Sequence, residues 1–62
     1  GILKMTTYLI KSKCKTSINI MINGEIFVIP PKPQTRSVAM KAISEDLQKL
    51  IDGNIIKISI IN

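Results

Sequence analysis

The chain has 62 residues, with nine Lys or Arg against four Asp or Glu, a net charge of +5 and 45% hydrophobic residues. That length allows one domain with a marginal core, and the apolar share excludes an intrinsically disordered chain. One cysteine and no histidine exclude an internal disulfide and leave zinc without a ligand set, so a partner or an unusually apolar core must supply the stability that such staples give small domains.

No apolar run approaches the ~20 residues of a membrane span, and no secretory segment follows a basic start. These features predict a soluble intracellular protein or a subunit of a particle assembled inside the cell. The positive balance favours polyanions and also keeps an apolar chain soluble. Gly1 to Lys4 read as a scar or a processed end ahead of Met5, which leaves 5–62 as a single small β-rich domain.

Met5 to Lys11 is made of β-formers and predicts a first strand, with Tyr8 and Ile10 on one face and Thr7, Leu9 and Lys11 on the other. Lys11, Lys13 and Lys15 follow at a spacing of two. On extended backbone they share a face and form either a phosphate-tracking stripe or a lysine-protected edge. Cys14 lies among them with no histidine to serve as its base.

Ser17 to Pro30, SINIMINGEIFVIP, predicts a β-hairpin. Asn23-Gly24 supplies the two positive φ angles of a type I′ turn, and a two-residue loop sets the register. Ile22 then faces Glu25, Ile20 faces Phe27, and Ile18 faces Ile29. One face carries these five apolar side chains and Glu25. The other carries Ser17, Asn19, Met21, Ile26 and Val28. Three prolines at 30, 31 and 33 end the pairing and predict a stiff, extended connector.

Thr35 to Ile43 fits either a helix or a strand. The next residues favour a strand over Ser37 to Ala42, because Ser44-Glu45-Asp46 makes a strong helix start: a serine N-cap with two acids in the first turn. Leu47, Leu50 and Ile51 form the apolar stripe of a two-turn helix over 45–52, and Gly53 suits C′. Ile55 to Ile61 closes the chain as a strand, with Ile56, Ile58 and Ile60 facing inward. About five strands and one short helix predict a mainly β fold, either a small antiparallel barrel or a compact sandwich.

Neither an acid/base pair, a nucleophile–histidine arrangement nor a glycine-rich phosphate loop is legible, so no enzyme, cofactor, metal or small-molecule substrate is expected. Tyr8 and Phe27 are the only aromatics, and Phe27 falls on the core face.

The run SINIMINGEIFVIP, the corner PPKP, a short strand, the capped helix SEDLQKLIDGN and the strand IIKISII together resemble the small β-rich virion proteins encoded among the head and tail genes of tailed bacteriophages. The resemblance spans about Ser17 to Ile60. It implies a structural subunit such as a capsid decoration or head/tail protein, located in the virion or in the host cytoplasm during assembly, and it transfers no catalytic or ligand residue. On that reading the chain binds its own copies or a larger shell protein, with Ile26, Val28, Ile55 and Ile61 near the contact. Two alternatives stand beside it. One is a small basic β-module that binds nucleic acid weakly and without sequence preference through Lys11, Lys13, Lys15 and Arg36. The other is an inhibitor-like protein that binds one host protein.

Overall fold

The computed structural model describes residues 4–61; the N-terminal stretch set apart above lies outside them except for Lys4. Five strands and one helix follow in the order β1 (Thr6–Ser12), β2 (Ile18–Ile22), β3 (Glu25–Ile29), β4 (Thr35–Met40), α1 (Glu45–Asp52) and β5 (Ile56–Ile60). The fold is mainly β and sandwich-like. An antiparallel sheet of order β4-β1-β5 faces the separate antiparallel hairpin β2-β3. The barrel alternative is corrected by this topology: among the described residues no ladder joins the hairpin to the larger sheet. The bends at 13–16 and the proline connector carry the chain between layers instead of continuing a sheet, and the Lys32 amide donates to the Cys14 carbonyl at 2.9 Å to tie those two crossings together.

The hairpin has the register that its turn demands: Ile18 opposite Ile29, Ile20 opposite Phe27 and Ile22 opposite Glu25. Asn23 (φ 53°) and Gly24 (φ 78°) both take positive φ, as type I′ requires. Alternation then sends Ile20, Ile22 and Ile29 into the core, where they meet Ile10 of β1, Met40 of β4, Leu47 of α1 and Ile56 of β5. Phe27 is half-buried against this cluster.

The ambiguous segment after the prolines is a strand, running Thr35–Met40 rather than Ser37 to Ala42. The first strand runs one residue later than expected, to Ser12. The buried Ser12 hydroxyl accepts from the Cys14 amide at 2.9 Å, a local bond that competes with further pairing and turns the chain.

The helix has its expected bounds. Ser44 is the N-cap, with its Oγ accepting from the Leu47 amide at 3.3 Å. Eight residues cannot hold a helix alone; Leu47, fully buried, with Leu50 and Ile51 half-buried, anchors this one to the core. The far end corrects the sequence reading. Gly53 is the C-cap itself, at φ −79°, and Asn54 takes the left-handed C′ position at φ 59°. The Asn54 amide donates to the Ile51 carbonyl and the Ile55 amide to the Leu50 carbonyl, both at 2.9 Å. That pair of bonds is a Schellman motif, with Ile55 at C″ and Leu50 at C3, where an apolar contact usually accompanies it.

This motif explains why Ile55 is not the exposed residue expected. It precedes β5 and is half-buried against the core. Ile60, expected inside, is 68% exposed. Burial falls along the edge strand β5 from Ile56 to Ile60 and rises along the opposite edge strand β4 to Met40, so the core crosses the sheet diagonally and leaves the Ile60 corner open.

Candidate functional site

Alternation leaves each layer with an outer face, and the two faces differ in chemistry. On the hairpin, Asn19, Met21, Ile26 and Val28 point away from the core, and all four are exposed. Met21 lies directly across from Ile26, and Asn19 across from Val28. Ile26 is 71% exposed, Met21 47% and Val28 39%. These four carry no charge.

Two polar side chains each bond one outward backbone group on a hairpin edge. Asp46, in the first turn of α1, accepts from the Met21 amide of β2 at 3.1 Å. Arg36 of β4 donates through Nη1 to the Val28 carbonyl of β3 at 2.9 Å, and its guanidinium carbon lies 4.1 Å from the Phe27 ring centroid. Unpaired edges invite further strands. These contacts occupy one outward backbone group on each edge.

On the larger sheet the outer face reads in rows across the strands. Thr35, Lys11 and Lys57 form one row, and Ser37, Leu9 and Ser59 the next. Lys13 continues the first end: its amide donates to the Ile55 carbonyl at 3.0 Å, and its ammonium donates to the Asn54 side-chain oxygen. All four acids of the chain lie elsewhere, Glu25 at the hairpin tip and Glu45, Asp46 and Asp52 on α1.

The expected site residues are therefore divided. Ile26 and Val28 share the hairpin face, whereas Ile61, 54% exposed, follows β5 in the other layer, and Ile55 packs inward. Lys11 lies on the outer face of β1, whereas Lys13 and Lys15 both fall in the bends at 13–16, where strand alternation no longer applies. Arg36 is on the opposite face of β4 from Thr35 and points at the hairpin. Lys57 was missed: it stands on the second face of IIKISII, and only the pairing of β5 with β1 places it beside Lys11.

A half-open pocket of about 180 Å³ lies between the hairpin tip and β4, lined chiefly by Ile22, Glu25, Phe27, Arg36 and Val38. It is smaller than the roughly 300–1,000 Å³ of typical small-molecule sites. No helix among the described residues is long and apolar enough to cross a membrane.

No protein-family model, curated protein or solved structure matches the chain.

Proposed function

We propose that the chain is a non-enzymatic assembly subunit that docks a second copy of itself through the outer face of the hairpin. The observation that carries this reading is the exposure of Ile26, at 71%, between Met21 and Val28 on a face without charge. Exposed apolar surface of this kind costs solubility unless something covers it. A second copy suits the charge distribution. Each chain carries +5, yet two hairpin faces meet with Lys11 and Lys57 in the far layers, so repulsion at the contact is small. A two-fold arrangement sets Ile26 of one copy against the Met21–Val28 side of the other. In the setting that the bacteriophage resemblance implies, the same face would seat the subunit on its neighbours in a head or tail.

A standard interface takes about 800 Å² from each partner, a large share of a chain whose whole accessible surface is 4406 Å². The hairpin face presents four exposed side chains, few beside the roughly 20–30 residues a side of a standard interface, so association is expected in the micromolar range or weaker. Sedimentation velocity over a concentration series, up to about 1 mM, tests it. Dimers that dissociate on Ile26→Lys, with the circular dichroism unchanged, are the expected result. A wild-type chain that stays monomeric throughout overturns self-docking, and binding to a larger structural protein at the same face would replace it.

A further inference from the structure

We infer that the outer face of the β4-β1-β5 sheet binds the phosphate backbone of nucleic acid, with Lys11, Lys57 and Lys13 as its charged contacts. Three observations converge. Lys11 and Lys57 are direct cross-strand partners, an arrangement of like charges that works against sheet stability and that a bound anion would offset. Hydroxyls flank them: Thr35 stands beside Lys11, and Ser37 and Ser59 occupy the next row. Lysine ammoniums interspersed with serine and threonine hydroxyls make the donor set that contacts phosphate oxygens. Every acidic side chain lies on the hairpin tip or on α1, so among the described residues no acidic side chain on this face competes.

Lys13, in the bend just beyond β1, is tied to the start of β5 by its amide bond to the Ile55 carbonyl. Its ammonium spends one of three donors on the Asn54 amide oxygen, which steadies the side chain and leaves the others for a phosphate. The face has no aromatic residue; Leu9 is half-buried at its centre, and Ile61, 54% exposed, stands alone beyond its far end, where its amide donates to the Thr7 carbonyl at 2.9 Å. Base stacking is therefore absent and binding is sequence-independent. Anionic membrane is the poorer fit, because membrane-surface binding combines charge with an apolar face that enters the headgroup layer. This inference is independent of hairpin docking, since the two use opposite layers.

Fluorescence anisotropy with a short labelled DNA duplex tests the face. Three lysine contacts predict a slope of log affinity against log salt of about −2.7. The double variant Lys11→Gln, Lys57→Gln should lose about tenfold or more in affinity at ~50 mM salt and flatten the slope by about two, while melting at a higher temperature than wild type. Lys32→Gln with Lys49→Gln removes the same charge from the connector and the helix and should change affinity far less. Equal losses in the two pairs would reduce the effect to net charge and overturn the site, as would binding to phosphatidylserine vesicles that exceeds binding to duplex at matched phosphate concentration. Loss of dimerisation in Ile26→Lys with DNA binding retained separates this inference from hairpin docking.

Discussion

The Arg36 guanidinium lies over the ring of Phe27, 4.1 Å from its centroid, and joins two sheets that share no ladder among the described residues. One side chain from β4 holds the hairpin twice, by the ring face and by the Val28 carbonyl. Both contacts are partly exposed, which limits their strength: a cation–π contact of this kind is worth about 0.5–1 kcal/mol, and the hydrogen bond adds about as much again. Arg36→Ala should therefore lower stability by roughly 1–2 kcal/mol. A double-mutant cycle with Phe27→Leu, read by urea denaturation, should return a coupling of about 0.5–1 kcal/mol. Zero coupling would mean that Arg36 and Phe27 are neighbours without energetic consequence.

The helix C-terminus gives a test of opposite sign. Asn54 holds φ 59°, a region that costs a non-glycine residue roughly 1 kcal/mol. Asparagine tolerates it, glycine adopts it freely, and a β-branched residue does not. Asn54→Gly should be neutral or slightly stabilising in thermal denaturation, and Asn54→Val should cost about 1–2 kcal/mol. The glycine variant also removes the acceptor for Lys13, so any loss it shows measures that hydrogen bond. At the other end, Ser44→Ala should cost about 1 kcal/mol, since it strips the acceptor from the Leu47 amide.

The contrast between the two helix ends shows what a sequence discloses. The hairpin register was legible because it depends on parity and a two-residue turn, both local. The N-cap was legible because Ser44 and the two acids after it act within one turn. The C-cap was read one residue early, since glycine is the usual left-handed residue and Asn54 took that role here. Pairing between β1, β4 and β5 was not legible: it depends on contacts separated by most of the chain, and no turn sets them. That is why the sequence does not join Lys57 to Lys11 or separate Arg36 from the lysines, and why it does not show that the core crosses the sheet towards Met40 and leaves the Ile60 corner out. The exposure of Ile26 and Val28 was readable from alternation alone.

The two proposed surfaces respond to salt in opposite directions, and that separates them in one preparation. Contact between hairpin faces is apolar, and the chains that meet there each carry +5. Raising salt screens their repulsion, and a strongly hydrated salt such as sulfate also strengthens apolar association. Binding of phosphate by Lys11, Lys57 and Lys13 releases counterions and weakens as salt rises. Between ~0.05 M and ~0.5 M salt, three such contacts predict a fall in DNA affinity of roughly 500-fold, while dimer affinity should hold or rise. Sedimentation velocity and anisotropy on the same samples follow both. Dimerisation that weakened in parallel with DNA binding would place charged groups at the subunit contact and move it off the hairpin face. Lys57→Gln should reduce the salt slope of DNA binding by about one and leave the dimer's dependence unchanged, because Lys57 lies on the layer that points away from the partner.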